Sequence, residues 1–412
     1  MMISDILTEW WYWGPLIFGV GSICYFFKIT VFDFRFMILI ILCQYALHSW
    51  LAFGVRNAIF GFCLSFLLVF LISNRIFCGP RKTSDLAVVS GSGIIDADWI
   101  YFSKMYLVLY YSARLIYYPF FSGELLLDER LAAQQQNQLI FNLGLAVQPA
   151  IAACMYYWFI CKRFGLSDWA VVFLCVVGGL GSGSKASVIP LFLTYIGVSS
   201  YLGKKPFLNP LVLVSGAVVS GVSLIVLFRF FPGLDFEGIA SLVGYRVVAN
   251  TDSLEYIYSA GINPSEYPFS GIGALFPDIS KRFGFIFEYP PGVWLHGIRF
   301  GNWDGFGPNS GIVMDYFGNL GWYGLMVGCL LGAGVALFSK RLTAVRCSFL
   351  SILSFAVVDV GVFEVAIIFW FAVFISLLFL RLGLGARFGG TVLSTRNSNY
   401  YPAALGRGDY FD

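Results

Sequence analysis

Charge is scarce in this 412-residue chain. Asp, Glu, Lys and Arg together make up 12% of it and histidine occurs twice, whereas a soluble globular domain carries about 25% charged residues. A net charge of +3, with the basic residues scattered along the chain, is too little to drive binding to a nucleic-acid backbone. No GxxxxGK[ST], no GxGxxG between a strand and a helix and no HExxH is present, so the sequence holds no ATP, dinucleotide or zinc-protease machinery. None of the nine cysteines (Cys24, Cys43, Cys63, Cys78, Cys154, Cys161, Cys175, Cys329 and Cys347) stands in a CxxC or Cys/His spacing. They fall in apolar runs or cytoplasmic segments, which leaves no disulfide framework and no metal cluster. Heptads and inverted internal repeats are missing too, which weakens a transporter reading. The opening MMISDILTEWWYWG lacks a basic start and a small-residue cleavage site, and reads as the beginning of a first span.

What is plentiful is apolar and aromatic. At 58% hydrophobic and 19% aromatic, with a mean hydropathy of +0.79, the chain reads as an integral membrane protein whose rings suit lipid-facing and headgroup-level surface. Crossing the hydrocarbon takes about 20 largely apolar residues. Eleven runs qualify, near 11–27, 36–53, 57–74, 100–121, 139–160, 168–181, 187–202, 208–230, 316–338, 346–360 and 363–382. An all-α polytopic membrane protein of about 11 transmembrane helices is therefore expected.

Lys and Arg accumulate in cytoplasmic loops. Placing the N-terminus outside puts sixteen of the 26 basic residues inside, among them Lys28, Arg35, Arg75, Arg81, Lys162, Lys204, Lys340 and Arg387. The reverse orientation inverts that asymmetry, so the N-terminus is expected to be periplasmic and the C-terminus cytoplasmic. Four parts follow: N-terminal spans over 1–230, about eight in number; one large periplasmic loop over 231–315; C-terminal spans over 316–387, about three; and a polar, Gly-punctuated cytoplasmic tail over 388–412, expected to be disordered. Loops as long as the second part are usually functional, and its Pro/Gly/aromatic texture predicts short helices lying against the membrane.

If chemistry occurs at that loop, it cannot draw on ATP, so the substrate must arrive activated, as a lipid-linked diphosphate does. Arginine's planar fork recognises phosphate, which singles out Arg130, Arg246, Arg282 and Arg299. The loop is not basic overall, with four Lys/Arg against nine Asp/Glu from 231 to 315, so a diphosphate site would need selected arginines; the bland alternative for each is a solvated side chain. Arg114 lies within a span, where it either snorkels or lines a cavity. Lys104, near the inner end of the same span, is expected to snorkel. Lys185 stands in the Gly/Ser-rich break GGLGSGSKAS, which can present backbone N–H groups to an anion or be an ordinary turn. For a general base the loop offers His296, Glu288, Asp304 and Asp315, while His48, near the end of the second span, reads as an interfacial or core histidine.

Two segments carry a family resemblance. GLGSGSKAS resembles the hairpin of bacterial polysaccharide polymerases and O-antigen ligases, and GPNSGIVMDYFGNLGWYGLMVGCLLG, residues 307–332, resembles the segment after their large periplasmic loop. Together with the many spans and the late loop, the chain resembles a Wzy-type O-antigen (oligosaccharide repeat-unit) polymerase. The resemblance implies a GT-C-like, metal-independent glycosyltransferase of the bacterial inner membrane that needs no cofactor. It would move a growing glycan from undecaprenyl diphosphate to the non-reducing end of another undecaprenyl-diphosphate-linked repeat unit, with inversion, and work beside a Wzz-type chain-length regulator. Lys185 matches the hairpin cation, and Asp315, Gly318 and Gly321 match the post-loop helix. The ligases' histidine before that helix has no counterpart, since the stretch reads Gly307, Pro308, Asn309; a ligase, or a flippase for lipid-linked oligosaccharide, remains as an alternative.

Overall fold

The computed structural model describes residues 10–27, 29, 34–78, 94–117, 144, 147–160, 165–181, 251–263, 291–301, 311–340 and 343–355. All of them fall in one compact unit, Met1–Phe369. They form ten α-helices and no strand: α1 (Trp10–Phe27), α2 (Phe34–Phe53), α3 (Ala58–Cys78), α4 (Ile94–Tyr117), α5 (Val147–Ile160), α6 (Leu166–Gly181), α7 (Ser253–Ala260), α8 (Pro291–Phe300), α9 (Leu325–Lys340) and α10 (Ala344–Phe355). A π-helical turn, Val313–Gly318, and a 3₁₀ turn, Gly321–Gly324, precede α9. Eight of the eleven expected spans fall wholly or partly on described residues and are helical there. The runs 187–202, 208–230 and 363–382, and the tail 388–412, lie outside the described residues.

Two helical stretches, Ala58–Cys78 and Gly321–Ser339, are long and apolar enough to cross a membrane. They pack on one another through complementary stripes. Phe62, Phe66 and Phe70 recur every fourth residue on α3 and are fully buried, and opposite them Gly324, Gly328 and Gly332 recur at the same spacing. Missing side chains form the groove that the rings fill: a Cβ on Gly328 would meet the Phe66 ring at 3.3 Å, and one on Gly332 would meet the Phe70 carbonyl at 2.4 Å. This is the small-residue contact by which helices associate where burying apolar surface gives no advantage over lipid. At its far end the contact turns polar, because the Asn74 Nδ2 donates to the Gly332 carbonyl at 3.1 Å, the Ser73 hydroxyl to the Cys329 carbonyl at 2.7 Å, and the Arg35 guanidinium to the Asn74 Oδ1 at 3.2 Å.

The opposite face of α3 carries Leu64, Leu68, Ile72 and Ile76, all exposed. On a helix bathed in water that face would be polar, and a continuous apolar stripe there would promote aggregation; hydrocarbon is the medium that suits it. Trp322 and Tyr323, also exposed, stand where the 3₁₀ turn leads into α9.

A second group of helices, α4, α5 and α6, shares a core around Leu107, Tyr111, Ile151, Cys154 and Val171. Lys104 lies here, and its expected snorkelling is corrected: its ammonium is ion-paired with Asp168 and sits 4.3 Å from the centre of the Tyr157 ring. Asp168 also accepts hydrogen bonds from the Trp158 indole and the Gly165 amide, each at 2.8 Å, so the buried carboxylate is shared between a cation and two neutral donors. Helix α10 touches both groups. Its Ser348 hydroxyl donates to the Pro149 carbonyl of α5 at 2.6 Å and accepts from the Trp99 indole of α4 at 3.1 Å.

The glycine groove yields a first prediction. Gly332→Ala forces a methyl group onto the Phe70 carbonyl, and overpacking of this kind costs about 1–3 kcal/mol. The melting temperature in detergent, followed by tryptophan fluorescence, is expected to fall, while Gly14→Ala, which meets nothing within 4 Å, should leave it in place.

Candidate functional site

Within residues 231–315 the described stretches centre on two short helices, α7 and α8, and α7 lies between α8 on one side and α2 and the π turn on the other. Helix α7 stops where Gly261 adopts a left-handed conformation (φ +63°), its N–H and that of Ile262 returning to the Tyr258 and Ile257 carbonyls, a terminus glycine forms without strain. Ser253, Leu254 and Ile257 are buried. Glu255 and Tyr256 meet α8.

On the buried side, α2 contributes polar residues to an otherwise apolar helix. Gln44, Tyr45, His48 and Ser49 are all buried, so the polar side of α2 faces inward, as polar side chains do in a span. The His48 Nδ1 and the Thr251 hydroxyl are hydrogen-bonded to one another, tying α2 to the residue that leads into α7. One turn earlier the Tyr45 hydroxyl lies by Ser253 and within electrostatic reach of Asp252 and Asp315. It also occupies the space a side chain at residue 311 would need: a Cβ on Gly311, itself at φ +57°, would fall 1.5 Å from the phenol oxygen.

Asp315 sits inside the π turn and is 1% exposed. A π turn widens the helix by one residue per turn and recurs at functional positions because it re-aims a side chain. Its loosened carbonyls are satisfied locally, the Asn319 side-chain amide donating to the Met314 and Asp315 carbonyls at 3.2 and 2.8 Å. The Tyr316 ring stacks on Phe66 and Phe317 packs against Phe62, ring centres 5.7 and 4.8 Å apart, so the α3 aromatic ridge also fixes the turn that bears the carboxylate.

On the other side, His296 and Arg299 lie three residues apart on α8 and both face α7. The His296 ring rests against Phe300 and Tyr256, with centres 4.8 and 6.4 Å away; its Nδ1 is buried and has no hydrogen-bond partner among the described residues. The Arg299 guanidinium lies over Tyr256 at 4.5 Å and Phe300 at 5.1 Å and makes one 3.2 Å contact, Nη2 to the Glu255 Oε1. His296 and Arg299 on one side of α7 and Asp315 on the π turn at its other side thus flank the same short helix, two groups able to take a proton and one able to hold an anion. Arg114 belongs to a different part of the fold, on α4, where it donates to the Tyr110 hydroxyl at 3.0 Å. Arg130, Lys185, Arg246, Arg282, Glu288 and Asp304 lie outside the described residues.

His48 is buried, as a core histidine is, and is hydrogen-bonded to the Thr251 hydroxyl ahead of α7. Glu255, Thr251 and Tyr45 are further members of the site that sequence reasoning did not pick out. One signal was present for α2: Gln44 and His48 stand four residues apart, with Tyr45 between them, on a helix with no other polar run. No family model matches the chain, and comparison with curated proteins and with solved structures finds no significant match.

The His48–Thr251 contact carries a second prediction. Replacing Thr251 by Val removes the hydroxyl from a buried imidazole, a loss of about 1–3 kcal/mol, whereas Thr251→Ser keeps it. Urea or thermal unfolding in detergent should rank wild type and Ser together, with Val clearly lower; equal stability of Val and Ser would contradict the contact.

Proposed function

We propose that this chain is a Wzy-type O-antigen polymerase, a GT-C-like glycosyltransferase of the bacterial inner membrane. The reading is supported most directly by His296 and Arg299 on one side of a short helix of the long loop and a buried Asp315 on the π turn at its other side, next to a helix pair apolar enough to span a membrane. It is supported also by the resemblance of residues 307–332 and 178–187 to the corresponding family segments. About eleven spans, a periplasmic N-terminus and a cytoplasmic C-terminus belong to the same proposal, as does a Wzz-type regulator as partner.

Little is demanded of the protein in such a reaction, because a diphosphate is already a good leaving group. Arginines of the loop, Arg246, Arg282 and Arg299, would take up the charge that develops as the anomeric C–O bond breaks, with Arg130 from an outer connection and Lys185 from the hairpin supplying further cations; Arg114, on a different part of the fold, is left out of this set. The acceptor sugar hydroxyl attacks that carbon and loses its proton to a carboxylate or imidazole, for which Asp315, Glu288 and His296 are the assigned residues. The bond formed is glycosidic, the bond broken is to the phosphate oxygen, and the electron pair leaves with undecaprenyl diphosphate.

A second reading, a flippase for lipid-linked oligosaccharide, draws on the buried His48 and Asp315, since titratable groups inside a helical bundle also serve transport. One experiment separates the two. Lipopolysaccharide from a deletion strain is run on a gel after complementation with wild type, Asp315→Asn, His296→Ala, Arg299→Gln, Arg282→Ala, Arg246→Ala or Lys185→Ala, with membrane abundance checked. Deletion is expected to leave a single repeat unit on the core, and Asp315→Asn to reproduce that pattern at normal abundance. Loss of all repeat units from the surface would instead mean that the protein acts in export or ligation, and the polymerase reading would fall.

A further inference from the structure

We infer that Glu255 is a resident anion which holds the Arg299 guanidinium in place of a phosphate and is displaced when a diphosphate-bearing ligand arrives. The inference rests on reading the loop as a diphosphate site and adds how that site is kept closed. Three observations around α7 and α8 carry it.

The first is the form of the ion pair. Glu255 engages Arg299 by a single Nη2 to Oε1 contact at 3.2 Å, and both side chains keep about a fifth of their surface exposed, 19% for Glu255 and 22% for Arg299. One contact between partly exposed groups is a weak hold, and a ligand that offers two oxygens to the fork can exchange with the carboxylate. The other guanidinium donors make no hydrogen bond among the described residues, and a phosphate offers the paired oxygens to which an arginine fork is complementary.

The second is the cradle. Tyr256 and Phe300 both lie within about 5 Å of the guanidinium carbon, a cation–π arrangement that keeps the group in place after the carboxylate has left.

The third is His296. It stands three residues before Arg299 on α8, packs on the same two rings, and buries an Nδ1 that has no hydrogen-bond partner among the described residues. A phosphate oxygen reaching the Arg299 fork gives that nitrogen an acceptor. Among the described residues no hydrogen bond joins Glu255 to it. The chemistry these groups fit is therefore a phosphate or diphosphate group presented beside the aromatic rings.

The test is a titration of the purified full-length protein in detergent with inorganic pyrophosphate, read by calorimetry. Glu255→Gln removes the competing charge and is expected to bind about tenfold more tightly than wild type; Glu255→Ala, a second route to the same vacancy, should do likewise. Arg299→Gln should abolish binding whether or not Glu255 is present. Equal affinity of wild type and both Glu255 variants, binding that survives Arg299→Gln, or no binding by any variant would each overturn the exchange. Nanodiscs of phosphatidylcholine with and without phosphatidylglycerol identify the source of the phosphate: loss of pyrophosphate binding on adding the anionic lipid assigns the site to a headgroup, and retention assigns it to a diphosphate, the exchange at Arg299 holding in both. Should pyrophosphate behave as expected while the deletion strain keeps its full lipopolysaccharide ladder, the anion site stands and the polymerase reading falls.

Discussion

The close approach of α3 and α9 governs much of what surrounds it. Where neighbouring helices gain nothing by leaving lipid, they hold together only if their backbones come near enough for dispersion and carbonyl contacts to add up, and three glycines facing three phenylalanines provide that nearness. The same ridge then continues past the groove, with Phe62 and Phe66 receiving Phe317 and Tyr316 of the π turn. Gly324 is needed at the join, because a side chain there would meet the Tyr316 carbonyl at 2.7 Å. The position of Asp315 thus depends on how two apolar helices interlock.

Polarity is inverted throughout this fold. The exposed positions on α3 and α9 are mostly apolar, Leu64, Leu68, Ile72, Ile76, Met326, Leu330 and Leu337 among them, with Arg75 near the end of α3, and the buried residues include Arg35, Gln44, His48, Asn74, Asp168 and Asp315. Several of the buried polar groups join elements that are remote in sequence: Arg35 and Asn74 join α2, α3 and α9, Ser348 joins α4, α5 and α10, and His48 joins α2 to α7. In a low-dielectric surrounding such bonds are directional and their loss is costly, so they set which helices meet and at what height, while the apolar contacts supply attraction with little preference for register.

The helices were legible in the sequence because an apolar run is a one-dimensional signal. The limits at 27, 53, 160 and 181 coincide with the ends of α1, α2, α5 and α6, where the chain meets charge, glycine or a polar turn. The site was legible only in part. Asp315 and the His296–Arg299 pair could be named from residue type and loop position, but their meeting at α7 depends on contacts spanning many tens of residues, which no local pattern encodes. The partner of Lys104 was missed for the same reason, Asp168 lying 64 positions away; a charge in a span was read alone when its counter-ion stood on a different helix. The π turn left no trace in the pattern either, because VMDYFG has the composition of an ordinary helical turn.

Length gives the interlocked pair a further property. The 21 residues of α3 extend about 31 Å at 1.5 Å per residue, close to the thickness of the hydrocarbon layer. Its partner α9 has 16 residues, about 24 Å, and the four-residue 3₁₀ turn adds about 8 Å. Trp322 and Tyr323 project outward on that added turn, where amphipathic rings favour the boundary between headgroups and acyl chains. On the proposed membrane-spanning reading the turn would work as a depth gauge: its rings would register the water boundary against the bundle, and Asp315, which precedes it by a short piece of helix, would keep its height as the bilayer thins or thickens around α3.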